Sequence, residues 1–407
     1  MHTIEHLSVR NYELGFNRFI LRKISVYLSL IVIWFVFTGS SRGVLKQFGQ
    51  PPEPAEMQIR AQNSIYKEGR FYNTIPTANG DAQEMWMLTK RYLNRDVQKE
   101  PAGDVNFNVK NELLLRDTGM LHLNWMGHSS VLMEKKGMYI LTDPVFDRAS
   151  PVSFAGPDRM FPSPISEEEM PDLEAVIISH DHYDHLSMHT VKNLEPKTKF
   201  FVVPLGVGSH LRFWGIPPEK VVELDWYEKF EFDDIVITST PARHFTGRGF
   251  TNNNTLWASI VIEFNGCNVY FGGDSGIFPG YEEIGEDFGP FDICLMPIGA
   301  YDSAWHDLHL FPEEAVDAFE MLGGGLFYPI HWGTIDLAPH SWYDPIKRLI
   351  RNLPDSYKRL VTAAPGAWVE AFPNPNNHDW WFQYVQGHNF NTIIDDDDEV
   401  DDASDTR

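Results

Sequence analysis

His180-Asp181-His182-Tyr183-Asp184-His185 packs three imidazoles and two carboxylates into six residues. It follows Leu173-Glu174-Ala175-Val176-Ile177-Ile178-Ser179, an apolar run of β character. Packing gives no reason to crowd so many titratable groups into one turn. Neutral imidazole and carboxylate are the ligands that borderline divalent metals such as zinc prefer. On an extended backbone His180 and His182 point the same way, because side chains alternate. Asp184 and His185 come just after, where the chain can turn toward a second ion. The pattern predicts a two-metal site at the end of a strand.

A site of that kind needs further ligands, and strand ends and loops are where they belong. Thr240-Pro241-Ala242-Arg243-His244 places His244 just past one apolar run. Tyr270-Phe271-Gly272-Gly273-Asp274 places Asp274 in a glycine-bounded turn past another. Tyr328-Pro329-Ile330-His331 repeats the arrangement for His331. Any one of these alone would pass as a structural residue. Three in order after the cluster make coincidence a poor explanation.

From Met120 onward the chain alternates strand-like runs with tight turns. Val131–Glu134 and Met138–Thr142 flank Lys136-Gly137, a hairpin signal. Further strands are expected at Val176–Ser179, Phe200–Pro204, Ile235–Ser239, Ala258–Phe264, Asn268–Gly272, Ile293–Ile298 and Leu326–Ile330. Helices are expected at His189–Leu194, from Pro312 onward, and at Ser341–Leu353. Pro312 comes early and Glu313 and Glu314 fall in the first turn, as a helix start favours. Two groups of strands with interspersed helices predict an α/β fold of two packed sheets with helices outside.

Around this core, residues 1–41 read as a membrane anchor or signal segment and 42–118 as an N-terminal extension. Residues 119–372 read as the catalytic domain and 373–407 as an acidic, largely disordered tail. Ile24 to Ser41 carries no charge and follows Arg18, Arg22 and Lys23. Spanning a bilayer takes roughly 17–25 residues, so a single-pass anchor is the expectation. A cleaved signal peptide and a buried helix are the alternatives. In the extension, Gln50-Pro51-Pro52-Glu53-Pro54 is linker-like, and Gln83 to Tyr92 has helical spacing. Asp395-Asp396-Asp397-Asp398-Glu399-Val400-Asp401-Asp402 repels itself and is expected to stay solvated.

At 407 residues and 43% hydrophobic content the chain can bury a sizeable core. A formal net charge of −24 with no basic patch excludes nucleic acid as a partner. Two cysteines, Cys267 and Cys294, make no disulfide framework. Both are expected as small core or surface residues, neither ligands nor redox centres.

With these motifs in place, the sequence resembles the metallo-β-lactamase fold superfamily, and within it the N-acylphosphatidylethanolamine-hydrolysing phospholipases D. The resemblance runs from Leu121 to His340. It rests on Trp125-Met126-Gly127-His128, Leu141-Thr142-Asp143-Pro144-Val145-Phe146 and Ile178 to Leu186. It continues in Val203-Pro204-Leu205-Gly206, Glu223-Leu224-Asp225-Trp226, Pro297-Ile298-Gly299-Ala300-Tyr301 and Ile330-His331-Trp332-Gly333-Thr334. Upstream, Phe71-Tyr72-Asn73-Thr74-Ile75-Pro76-Thr77 resembles the family's Phe-x-Asn-x-x-Pro-Thr.

The resemblance implies a four-layer αββα sandwich of two mixed sheets with outer helices, and a binuclear site of two zinc ions. His180, His182 and His244 would hold the first ion, and Asp184, His185 and His331 the second. Asp274 would bridge them. Asp274, His309 and His128 are the candidate catalytic residues. His309 would contact phosphate or donate a proton, with a buried structural histidine as the alternative. His128 and Asp143 are expected to support the ligands, and Asp181 to orient one or to accept a backbone hydrogen bond. The implied reaction is hydrolysis of N-acylphosphatidylethanolamine to N-acylethanolamine and phosphatidic acid. A membrane phospholipid substrate, a membrane location and a homodimer are the implied associations. The alternatives are another hydrolase on the same scaffold, such as a lactonase or small phosphodiester hydrolase, and a non-catalytic lipid-binding protein stabilised by zinc.

Overall fold

The computed structural model describes residues 45–105, 119–152, 154–249, 251–353, 359–371 and 379–386. All elements named below lie in the unit that begins at Gly49. Helix α1 (Pro54–Arg60) opens on a proline and buries Met57. Strands β1 (Ile65–Lys67) and β2 (Arg70–Tyr72) pair antiparallel and turn Tyr66 and Phe71 inward. Helix α2 (Ala82–Asn94) starts in a capping box. Asp81 accepts from the Gln83 and Glu84 amides, and Glu84 accepts from the Asp81 amide.

The first sheet takes β3 (His122–Gly127), β4 (Ser130–Lys135), β5 (Met138–Thr142) and β6 (Leu173–Ile177). After α3 (Met188–Leu194) it adds β7 (Thr198–Pro204), and after α4 (Val207–Trp214) it adds β8 (Val221–Leu224). The second sheet takes β9 (Lys229–Phe232), β10 (Ile235–Thr240), β11 (Ser259–Phe264) and β12 (Cys267–Phe271). After α5 (Gly280–Phe288) comes β13 (Ile293–Pro297), and after α6 (Pro312–Met321) comes β14 (Leu326–Ile330). Helix α7 (Asp344–Asn352) follows, and β15 (Trp368–Glu370) returns to pair with β3. The strand orders are β15-β3-β4-β5-β6-β7-β8 and β14-β13-β12-β11-β10-β9.

Both sheets are mixed, and the period-2 pattern of the sequence sorts their faces. In the first sheet Leu123, Trp125, Val131, Met133, Ile140, Ala175, Ile177 and Val202 join the core shared with the second sheet. The alternate residues Leu132, Leu141, Val176, Phe201 and Val203 form a separate cluster with Val191 of α3 and Val207 and Leu211 of α4. On the second sheet Tyr281 and Ile284 of α5 and Ala315, Ala318 and Phe319 of α6 join the core. The result is the expected αββα sandwich.

Strand direction decides where the chemistry gathers. β5 to β8 run parallel, and β3 runs with them because β4 is antiparallel to both its neighbours. In the second sheet β12, β13 and β14 are parallel, and β10 shares their direction across the antiparallel β11. The segments that leave β3, β5, β6, β10, β12 and β14 therefore emerge at one end of the sandwich. The tight hairpins β4–β5 and β11–β12 turn at the other.

One expectation is corrected. Among the described residues no helix is long and apolar enough to cross a membrane. The single-pass N-terminal anchor expected over Ile24 to Ser41 is therefore not supported, and that run lies outside the described residues. The acidic run 395–402 also lies outside them.

Candidate metal centre

Seven residues singled out in the sequence meet at the end of the sandwich where these strands emerge. His180, His182 and His244 offer ring nitrogens within 4.8 Å of one another. A carboxylate oxygen of Asp184 and ring nitrogens of His185, His331 and His128 lie equally close to one another. Asp274 lies between the two groups. Its Oδ2 is 3.2 Å from His185 Nε2, 3.7 Å from His244 Nε2 and 4.0 Å from His180 Nε2. Its Oδ1 is 3.0 Å from His331 Nε2.

Local backbone geometry aims these side chains. His128, Asp143 and His331 have φ values of 55°, 31° and 62°. Left-handed conformations are costly for residues with a Cβ, and they cluster where function demands them. Gly273, at φ 57°, lets the chain pass Ser179 just before Asp274, since a Cβ there would come within 2.6 Å of the Ser179 Cβ. At Gly299 a Cβ would stand 2.1 Å from the His331 carbonyl oxygen.

Two of the rings are held from behind. His185 Nδ1 donates to Asp143 Oδ2 at 2.6 Å, and Asp143 is fixed by the Ser179 amide and hydroxyl at 2.7 and 2.6 Å. His244 Nδ1 donates to the Leu308 carbonyl at 3.0 Å. These bonds leave the Nε2 lone pairs facing inward, the tautomer a metal requires. The peptide of His244 is clamped by Asn73, which accepts from its N–H at 3.0 Å and donates to its C=O at 2.8 Å. Arg243 donates to Thr77 Oγ1 and the Pro76 carbonyl and pairs with Asp307 at 2.6 Å. The stretch Phe71 to Thr77 therefore serves the site, a role its composition did not reveal.

His128 lies behind Asp184, with Nε2 3.0 Å from Asp184 Oδ2. Its carbonyl accepts from the His331 amide and from Trp125 Nε1. His309 is half-buried, with Nδ1 3.8 Å from Asp274 Oδ2 and its ring stacked 5.5 Å from that of His331. Asp181, expected to orient a ligand or accept a backbone hydrogen bond, does the latter and points away from the centre. It accepts from His210 Nε2, the Gly247 amide and Thr255 Oγ1.

Burial and charge divide the imidazoles. Burial lowers the pKa of His180, His182 and His244. Burial also takes His128 down to about 3 and His309 to about 4. For His331 burial acts the same way, but Asp274 and Asp184 outweigh it and raise it to about 9. His185 is raised by Asp274, Asp184 and Asp143 against the same burial. Burial would lift Asp274 and Asp184, yet the facing imidazoles hold both well below the usual carboxylate range.

These residues fit a metal. His185 Nε2, His331 Nε2 and Asp274 Oδ1 are buried with no hydrogen-bond partner. Such orphaned polar atoms call for an explanation, and a cation among them is the simplest one. Imidazoles and carboxylates without thiolate form a donor set for zinc and other first-row divalent ions.

Comparison with known proteins agrees with this geometry. A family model described as a beta-lactamase superfamily domain matches residues 138–332. A metal-dependent hydrolase of the UPF0173 group from Sulfurisphaera tokodaii is 30% identical over 62% of this chain and 100% of its own. The chain belongs to the metallo-β-lactamase superfamily. It is a metal-dependent hydrolase of that superfamily. An uncharacterized protein of Mycobacterium tuberculosis is 40% identical over 79% of this chain and 88% of the relative. An N-acyl-phosphatidylethanolamine-hydrolyzing phospholipase D of Caenorhabditis elegans is 38% identical over 59% of this chain and 71% of the relative.

Proposed function

We propose that this member of the superfamily holds two zinc ions and hydrolyses the phosphodiester of N-acylphosphatidylethanolamine. The products are N-acylethanolamine and phosphatidic acid. The observation that carries this reading is the 38% identity to the Caenorhabditis elegans phospholipase D over 71% of that relative, in a chain that brings these histidines and aspartates together. The donor set supports it: an aspartate, and no cysteine, stands between the two groups.

His180, His182 and His244 would hold one ion, Asp184, His185 and His331 the other, and Asp274 would touch both. When bound, such a pair supplies Lewis acidity toward phosphoryl oxygens and lowers the pKa of water toward ~7. The protein's part is orientation. Asp143 and the Leu308 carbonyl hold their imidazoles in one tautomer, so the donor atoms need no rearrangement when charge develops. Asp274 brings one negative charge to the point where the groups meet. His128 holds Asp184 in place through Nε2. His309 is half-buried beside Asp274, and its ring makes no hydrogen bond to a ligand. We assign it to a phosphoryl oxygen of the substrate.

The test is to load the full chain with zinc, incubate it with N-acylphosphatidylethanolamine in mixed micelles, and follow products by mass spectrometry. Release of N-acylethanolamine together with phosphatidic acid, abolished by a chelator, is the expected result. A folded, zinc-loaded protein that releases neither would overturn the lipid assignment. The same preparation would then be offered small phosphodiesters and lactones.

A further inference from the structure

At the pole opposite the metal centre, the two sheets touch through an unusual pair. Lys135 ends β4 and Cys267 begins β12, so the pair bridges the first sheet and the second. Lys135 Nζ lies 2.8 Å from Cys267 Sγ. Lys135 is only 7% exposed. Among the described residues no carboxylate stands within ion-pair distance of its nitrogen, and the thiol is the one hydrogen-bond partner that nitrogen has. Buried lysines ordinarily have a charged partner. Asn265 braces the contact, its Nδ2 donating to the Lys135 carbonyl at 3.3 Å. Cys267 is half-buried, within reach of a small oxidant.

We propose that Lys135 and Cys267 are a redox-responsive cross-link site, closing a covalent N–S bond between the two sheets when the protein meets a peroxide. A cysteine thiolate reacts with a peroxide to give a sulfenic acid, which condenses with a nearby nitrogen to a sulfenamide. Here one hydrogen peroxide oxidises Cys267, its O–O bond breaks, and one water leaves. The Lys135 amine then attacks sulfur. The N–S bond forms, the S–O bond breaks, and the departing oxygen leaves with the amine proton as a second water. Thiol, amine and one peroxide become a sulfenamide and two waters. Sulfur loses two electrons and the peroxide gains them. A thiol reductant reverses the bond by attack on sulfur.

Cys294 is the internal control. It is fully buried, its sulfur lies against the Gly324 carbonyl at 3.5 Å, and burial pushes its thiol up. Thiols in that setting are inert.

The experiment treats the full chain with hydrogen peroxide, blocks remaining thiols with iodoacetamide, and maps peptides by mass spectrometry. The expected product is a single linked pair of peptides carrying Lys135 and Cys267. It lacks two hydrogens relative to the separate peptides and is released by dithiothreitol. Cys294 stays free to alkylate after denaturation. Lys135→Arg should abolish the linked pair while Cys267 still oxidises, and Cys267→Ser should abolish both. Cys267 found only as sulfinic or sulfonic acid overturns the proposal, as does Cys267 left unoxidised with Lys135 free. A linked pair that retains an extra oxygen rejects the direct N–S bond. The decisive reading is made on the unaltered protein, so it does not depend on either variant folding.

Discussion

The two halves of the candidate metal centre are built to different plans. The group of Asp184, His185 and His331 is supported from inside the core. Asp143 follows β5, His128 follows β3, and they sit directly behind His185 and Asp184. The group of His180, His182 and His244 is supported partly from outside, for His180 Nδ1 meets Ser179 Oγ at 2.9 Å within the core while His244 leans on additions to it. Its His244 depends on Asn73, from the segment before the core, and on the Leu308 carbonyl, from the loop before α6. The charge differs as well. Carboxylates dominate the first half, whereas the second is three neutral rings that share Asp274. The difference teaches that one half belongs to the sandwich itself and the other is completed by additions to it. The two halves should therefore fail separately.

Three substitutions test that. Asp274→Asn removes the charge common to both halves, so metal content and hydrolysis should fall together, by more than ~100-fold in rate. Elemental analysis of the purified variant checks it. If one ion were retained at full occupancy, Asp274 would not be shared. Asp143→Asn acts directly on one half, through His185, and reaches the other only through Ser179 and His180. The amide cannot accept from His185 Nδ1 and from the Ser179 amide and hydroxyl as the carboxylate does. Affinity for one of two ions should drop about 10–100-fold, the usual cost of losing a group behind a metal ligand. Competition with a chromophoric chelator would resolve the two binding steps. Asn73→Ala acts on the other half and should cost about 10-fold in the remaining step. If Asn73→Ala and Asp143→Asn weakened the same step, the division drawn here would be wrong.

The same division explains what could be read from the chain. The candidate ligands are side chains, so His180, His182, Asp184, His185, His244, Asp274 and His331 announce themselves by type and by position after apolar runs. The strands around them are legible for the same reason. β5 and β14 fall where the alternation of the sequence puts them, and most other ends shift by a residue or two. The supports are harder to read. The acceptor for His244 is the carbonyl of Leu308, and a carbonyl carries no signature of its residue. Asn73 stands 171 positions before the ring it steadies, in a stretch recognisable by resemblance but not by chemistry. β8 and β9 are short and half-exposed, with charged residues on one face, so no apolar run marks them.

The smallest expected effect probes the outer support. His306 lies on the loop that carries Leu308, and its Nε2 is 3.0 Å from Glu314 Oε1 in the first turn of α6. The hydrogen bond with Glu314 raises the His306 pKa, against partial burial. A raised folded-state value means that the protonated ring stabilises the folded protein. That contribution is complete below the unfolded pKa of about 6.5 and is lost as pH rises through the folded value. Because the His306 side chain is 50% exposed, water screens the pair, and the contribution should stay below about 1 kcal/mol. His306→Gln should therefore melt below the unaltered protein at a pH near 5.5, and the gap should close by a pH near 8.5. Metal competition carried out in parallel would show whether the loop matters to the site. Loosening the Leu308 carbonyl should weaken the step sensitive to Asn73→Ala and leave the step sensitive to Asp143→Asn unmoved. Equal weakening of both steps would show that the loop steadies the sandwich as a whole and not one half of its centre.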